Sequence, residues 1–389
     1  MRIGVNALFL IPGEVGGSET YLCETLRACA AQYPDDALVV FTHLENDAFL
    51  RNRFASFPQV TFVRFNFRAS NRYARIIREQ TELPARATRA RLDVLWSPGY
   101  TAPVLTGVPQ VLSILDMQYK RFPHDLTPLA RWVTDALVRV GVRRCRRILT
   151  ISAFSRDEIA RFTAASVSKI DVTPLAVDAA FSEAIPYPER AALLGRLLPG
   201  VGPYLLCVAN TYPHKNVDTL VRAYAALPST LATHLVLVGK PRLGEEVVQA
   251  ALRELPNPAR VLRLGGMTRR ELVALYQACE VFVFPSLYEG FGLPVLEAMA
   301  AGVPVVAANI PTTAEFGGEW VWSCDAHDAG DMARAIEAAL REPPAARVAR
   351  LQAAQRHALR FVWSETARRT HAALALASGL PTGAATSPD

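Results

Sequence analysis

Phe284-Pro285-Ser286-Leu287-Tyr288-Glu289-Gly290-Phe291-Gly292-Leu293-Pro294-Val295-Leu296-Glu297-Ala298-Met299-Ala300-Ala301-Gly302-Val303-Pro304 is the stretch from which the rest of the chain is read. The run before it, Val281-Phe282-Val283-Phe284, is short, β-branched and aromatic, the pattern of a buried parallel strand, and Pro285 ends it. Gly290 and Gly292 then make a loop, and Leu293-Pro294 opens a helix whose proline lacks only an N–H that would have had no partner there. Glycines on a strand-to-helix turn let a ligand approach the backbone closely, and the exposed amides and dipole of a helix start attract an anion. The turn therefore reads as a phosphate seat.

Glu289 and Glu297 flank this turn. Glu297 sits about one turn into the helix and is expected to accept hydrogen bonds from neutral hydroxyls, such as those of a ribose. Glu289 precedes the glycines and is expected beyond the phosphates, where a diphosphate-linked group would project. Singly, each has an ordinary explanation, a solvated loop acid and a first-turn dipole partner. Together, Glu289-Gly290-Phe291-Gly292-Leu293-Pro294 through Glu297 resembles the E-x7-E motif of retaining glycosyltransferases of family 4, which have the GT-B fold. The resemblance implies that Glu289 contacts the donor sugar, that Gly290, Phe291, Gly292 and Leu293 hold the pyrophosphate, and that Glu297 holds the ribose.

The 389 residues allow two domains of ordinary size, and 51% apolar against 20% charged residues is a globular composition. A net charge of +6 suits anionic small molecules or an anionic membrane surface and is too diffuse for a nucleic-acid binder. Cys23, Cys29, Cys145, Cys207, Cys279 and Cys324 form no C-x-x-C pair and read as reduced core thiols. Met1 to Leu8 reads as a first strand rather than a signal peptide, and no apolar run is long enough to span a bilayer. The expectation is a cytoplasmic protein, at most peripheral at the inner face of the membrane.

In chain order, the strand Arg2–Leu8 leads through Gly13, Gly16 and Gly17 to a helix with Ser18 as its expected N-cap. This second glycine turn resembles the G-G-S-E loop of the family, which makes Gly16 and Gly17 donor-binding candidates; a G-x-G-x-x-G fingerprint is absent. Strands at 38–42, 60–65, 94–97, 111–115 and 148–151 alternate with helices at 72–83, 129–143 and 154–162. That alternation argues a parallel sheet covered on both faces. Asp116 falls just past a strand's carboxyl end, where ligands of open α/β sheets collect. The family often carries a T-I-H-D-like version of this stretch, and Leu115 occupies its His position, so either Asp116 takes over the polar role as a catalytic candidate or another group meets the acceptor hydroxyl. Ser97-Pro98-Gly99-Tyr100 is a second strand-end loop, either an acceptor wall or a plain turn.

Pro186, Pro188, Pro199, Gly200 and Gly202 mark a linker between 174 and 203. The expected organisation is an acceptor-binding domain at 1–180, a nucleotide-sugar domain at 200–360, a helix at 361–378 crossing back to the first domain, and a disordered tail at 379–389. The second domain opens on a strand followed by Asn210-Thr211-Tyr212-Pro213-His214-Lys215, where the resemblance makes Asn210 and Lys215 donor-phosphate ligands. A cation beside a departing diphosphate stabilises charge that builds as the glycosidic bond breaks, so Lys215 is also a catalytic candidate. Met267, after a later strand, is expected to face the base.

The fold class is thus α/β, a GT-B arrangement of two facing Rossmann-like domains. The resemblance implies transfer of a hexose from a nucleotide diphosphate sugar, with retention, to a hydroxyl of a glycan or lipid-linked glycan. GDP-mannose is the preferred donor because Ser113 to Pro123 looks most like bacterial mannosyltransferases of surface-polysaccharide assembly. No metal or other cofactor is expected, since no D-x-D pair is present and cationic and N–H groups can take a metal's place. A sugar-nucleotide epimerase, a pyridoxal-phosphate phosphorylase and a non-catalytic nucleotide-sugar-binding subunit stay open as other readings.

Overall fold

The computed structural model describes residues 1–231 and 233–380. Its contacts divide the chain into two units, one of Met1–Leu175 with the segment from Trp363, the other Ala176–Val362. In the first unit, β1 (Arg2–Asn6), β2 (Ala37–Thr42), β3 (Val60–Arg64), β4 (Val94–Ser97), β5 (Gln110–Ser113), β6 (Arg147–Thr150) and β7 (Ile170–Val172) form one sheet. Their order is β3-β2-β1-β4-β5-β6-β7, and every pair is parallel. In the second, β8 (Tyr204–Val208), β9 (His234–Val238), β10 (Val261–Leu264), β11 (Val281–Phe284), β12 (Val305–Ala308) and β13 (Trp322–Cys324) take the order β10-β9-β8-β11-β12-β13, again all parallel. Both are doubly wound α/β sheets, as the alternation of patterns implies.

The inner strands of each sheet are buried on both faces because they are mostly apolar rather than alternating, whereas the outer strands β3, β7, β10 and β13 are only partly buried. Leu205, Leu235, Leu237, Val281, Val283 and Val306 meet Val217, Leu220, Met332 and Ile336 from the covering helices. Burying each such side chain contributes about 1.5–3 kcal/mol. The first unit has two apolar clusters, one around Leu8, Phe41, Phe65 and Leu95, the other around Leu112, Ile114, Ile148 and Ile159. All six cysteines are buried and unbridged, and burial pushes thiols such as Cys29 and Cys207 up to about 12.

The helix Trp363–Ser378 belongs to the first unit, lying against the helix Gly17–Gln32 and beside β4 to β7. It is fixed there by Thr366, whose hydroxyl donates to the Pro174 carbonyl at 2.6 Å, and by His371, whose ring stacks on Tyr33 at 3.6 Å and pairs with Asp36 at 2.8 Å.

Several expectations are corrected. The proline-marked segment is no open linker: it carries the helix Tyr187–Leu197, and the second unit begins at Ala176 rather than near 200. Prolines at a helix's first positions start it rather than break it. Ser18 is not the N-cap; the helix begins at Gly17, capped by Gly16 at φ 53°. The helix from Arg72 runs through Pro84 to Arg89, with Leu83 and Ala87 buried on its core side. The expected tail falls almost wholly outside the described residues.

Candidate active site

In each sheet the strand order reverses at one place, between β1 and β4 in the first unit and between β8 and β11 in the second. Loops leaving the carboxyl ends of two strands diverge there, which opens the crevice where doubly wound folds bind ligands. In the second unit those loops are 209–216 after β8 and 285–292 after β11, the two segments that hold most of the candidate residues.

The loops are pinned together. Asn216, in the left-handed region at φ 56°, donates through its amide to the carbonyls of Pro285 at 3.0 Å and Ala326 at 2.7 Å, while Thr219 donates to its oxygen at 2.7 Å. The Leu287 N–H donates to the His214 carbonyl at 2.8 Å. With the backbones so held, Lys215 Nζ lies 2.6 Å from Glu289 Oε1, their side chains 23% and 14% exposed. The structure therefore joins the two leading catalytic candidates as an ion pair, a pairing the sequence does not predict.

The glycine turn follows. Gly292 takes φ 105° and caps the helix Leu293–Ala300, whose start holds Pro294. Gly290 is buried in the same turn. The side chain of Phe291 is core: it is 3% exposed and packs on Phe316 at 4.0 Å and Phe361 at 6.2 Å. Of the expected donor contacts at this residue, only one through its backbone fits that placement. Packing Phe291 inward anchors the turn.

Glu297 sits in the second turn of that helix, 6% exposed. Burial pushes its carboxyl up to about 7, against the opposing pull of Arg269. Tyr276 donates to Oε2 at 3.2 Å, and Arg269 is 3.9 Å from Oε1 but is also drawn to Asp178 at 2.7 Å. The acid is thus held in a dry site with its charge incompletely compensated, a state that hydroxyl donors would relieve.

Asn210 turns toward the neighbouring loop, its side-chain oxygen accepting the Lys240 N–H at 2.8 Å. This tie, with the Thr211 hydroxyl donating to Glu245 at 2.9 Å, fastens the loop after β8 to the one after β9. Asn210 therefore shapes the Lys215 loop; its amide oxygen is spent on backbone. Met267 follows the outermost strand β10, beyond Gly265 and Gly266, two strands away from β8.

Gly16, Gly17 and Asp116 all lie in the first unit. Glu19 accepts the Gly13 N–H at 2.7 Å and closes the glycine loop ahead of the helix. Asp116 accepts from the Tyr100 hydroxyl at 2.9 Å and from the Gln118 N–H at 3.0 Å. Tyr100 reaches it because its backbone is left-handed at φ 68°, next to Gly99, where a Cβ would lie 2.4 Å from a Phe9 ring atom. Asp116, Tyr100 and Gly99 border a cavity of about 340 Å³ at the switch point of the first sheet, together with Arg72 and Arg75; Val15 and Ser18 line it, but Gly16 and Gly17 do not. Asn216, Arg72 and Arg75 were missed in the sequence, whereas Tyr100 belongs to the Ser97–Tyr100 loop already singled out there. Asn216 directly follows Lys215, and an Asn is the residue most readily placed left-handed, so that signal was available.

Two Rossmann-like units, each with strand-end loops carrying charged groups at its switch point, define a class: GT-B glycosyltransferase folds. Comparison with known proteins agrees. The model "Glycosyltransferase Family 4" matches residues 15–181 and "Glycosyl transferases group 1" matches residues 196–357, so that together they take in most of the chain. The chain belongs to this glycosyltransferase family. It is 30% identical over 258 residues to the serotype-specific mannosyltransferase WbdA of Escherichia coli, covering 63% of this chain and 32% of that one. It is 33% identical over 197 residues to the O-antigen chain mannosyltransferase B of Escherichia coli, covering 50% and 51%. The chain thus spans between a third and a half of the length of these relatives. Among solved structures, Anabaena HepE in complex with UDP-glucose superposes with a TM-score of 0.75 at 19% identity, covering 97% of this chain and 100% of that one.

Proposed function

We propose that the protein transfers a hexose from a nucleotide diphosphate sugar to a hydroxyl of a glycan or lipid-linked glycan in surface-polysaccharide assembly. Mannose from GDP-mannose is the preferred donor. The Lys215–Glu289 pair beside the Gly290–Leu293 turn is the observation that carries the reading. A diphosphate arriving at the turn competes for the Lys215 ammonium, and the released Glu289 carboxylate becomes an acceptor for sugar hydroxyls. Glu297 takes the ribose hydroxyls.

The anomeric carbon–oxygen bond to the diphosphate then breaks while the acceptor oxygen bonds to the anomeric carbon from the same face. The acceptor's hydroxyl proton passes to the departing phosphate oxygen, and configuration is retained. Lys215 and the amides at the helix start stabilise the charge developing on the leaving group, so no metal is required. The names of the mannosyltransferase relatives support the choice of sugar. A nucleotide sugar donor places the reaction in the cytoplasm, with contact to the inner face of the membrane where the acceptor is lipid-linked.

Thermal-shift measurements with GDP-mannose, UDP-glucose and their parent nucleotides test the reading, since a ligand of the folded state raises its melting temperature. A shift with GDP-mannose that is absent in Lys215→Ala supports it. Shifts with none of these donors would sink it.

A further inference from the structure

The cavity of the first unit holds a second charged arrangement that the donor chemistry does not use. Arg72 and Arg75 stand one turn apart at the start of the helix Arg72–Arg89, and both border the cavity. That helix has no acidic residue in its first turn, so two cations sit at the end where the dipole is already positive. The placement is unfavourable by itself. Neither guanidinium has a carboxylate within ion-pair distance among the described residues. Arg72 donates to the Thr134 hydroxyl at 2.6 Å, and the buried Nε of Arg75 has no hydrogen-bond partner.

Glu79, the nearest buried acid on the helix, is otherwise engaged: Asn6 donates to Oε1 at 2.7 Å and Thr101 to Oε2 at 2.8 Å. Burial pushes its carboxyl above the ordinary range against the opposing charge of Arg75, so Glu79 is only a partial counter-charge to that guanidinium and forms no ion pair with it. Burial, then Arg75 beside it, pulls the Arg72 guanidinium below its ordinary value. Elsewhere on the same cavity wall, Asp116, Asp125 and Tyr100 offer groups suited to neutral hydroxyls, Asp125 already accepting from the Gln118 amide at 3.1 Å.

We propose that this cavity receives a carbohydrate bearing an acidic substituent, phosphate or carboxylate, which Arg72 and Arg75 bind while Asp116 takes a sugar hydroxyl. A planar fork of donors matches either oxyanion, and an arriving anion supplies the direct ion-pair partner that neither guanidinium has among the described residues. The inference rests on the reading that the first unit takes the acceptor, and it narrows that acceptor to an acidic one.

Calorimetric titration of the full chain tests it, with mannose 1-phosphate, glucuronate, methyl mannoside and inorganic phosphate as probes and GDP as the donor-side control. Mannose 1-phosphate or glucuronate should bind at least tenfold more tightly than methyl mannoside. Arg75→Gln and Arg72→Gln should each weaken that binding about tenfold, Arg75→Lys should restore part of it, and GDP binding should not change. A methyl mannoside that binds as tightly as both acids, acid binding indifferent to either Gln substitution, acid binding lost instead in Lys215→Ala, or no binding of either acid would overturn the proposal. So would inorganic phosphate binding as tightly as mannose 1-phosphate, which marks an anion seat without a sugar. Should a Gln variant unfold, seen as lost GDP binding, methyl mannoside against the acids on the unsubstituted chain decides alone. Acid binding without GDP or GDP-mannose binding would leave this inference standing and remove the donor reading instead.

Discussion

Lys215 and Glu289 are 74 positions apart in sequence and 2.6 Å apart in space, joined across the loops that leave β8 and β11. Since the pair is mostly enclosed, each partner matters to the other before any ligand arrives. Lys215→Ala and Glu289→Ala should each lower kcat by about 10²–10³-fold, the range for losing one electrostatic contact to a transition state. Steady-state transfer rates, with circular dichroism as a folding control, measure it; near-normal turnover in either variant removes the proposed role.

Asn216 should be as sensitive as the charged pair although it touches no reacting atom. Replacing it with Ala removes both amide hydrogen bonds and puts a less tolerant residue at φ 56°. The expected cost is about 2 kcal/mol or more in denaturant unfolding. Asn216→Asp should do at least as badly, because a carboxylate would face two carbonyl oxygens. A variant with an unchanged midpoint would show that the two loops are held by other means.

Glu297 gives a pH dependence with a definite sign. Its carboxyl is raised by burial to about 7 in the folded chain, against an ordinary value near 4.5, so between those values the folded state binds more protons than the unfolded one. Stability from this group is full below about pH 4.5 and is lost as pH rises toward 7, by an amount on the order of 3 kcal/mol. Chemical denaturation across pH 4–8 should show the decline in the natural chain and a flatter profile in Glu297→Gln. The same substitution should weaken donor binding most above pH 7, where the carboxylate is the better acceptor; equal donor affinity in the two proteins would mean the ribose contact is misassigned.

Gly239 is a further prediction from packing alone. A Cβ there would come within 2.1 Å of the Ala209 carbonyl oxygen and 3.0 Å of the Asn210 nitrogen. Backbone cannot yield as a flexible side chain does, so Gly239→Ala should cost about 1–3 kcal/mol and displace the loop that carries Lys215. A thermal melt and a GDP titration would register both; an unaltered melt would show that the turn has slack.

The parallel sheets were legible because their strands are continuous apolar runs bounded by turn residues, as at Val281–Phe284. β7 and β13 were not, since three-residue strands such as Ile170–Val172 and Trp322–Cys324 present too short a pattern to separate from loop. Pro84 misled by position: proline usually ends a helix, yet here tertiary packing of Leu83 and Ala87 carries the helix past it. Within the site, Lys215, Glu289 and Glu297 could be picked out because a charge at a strand-to-helix turn is conspicuous. Their pairing could not, because it depends on Asn216 bridging segments some seventy positions apart. Phe291 was read as a ligand contact for its place in the motif, whereas its ring serves the interior.

The last helix, Trp363–Ser378, completes the first unit, and the Val177 N–H meets the Phe361 carbonyl at 3.2 Å, so the second unit enters and leaves at neighbouring points. In topology it is an insertion within its partner. During synthesis the inserted part can therefore emerge entire and fold while the surrounding part still waits for its closing segment. Excised as residues 176–362, it should keep its own cooperative transition, whereas a chain stopped at 362 would leave the earlier portion without its final helix.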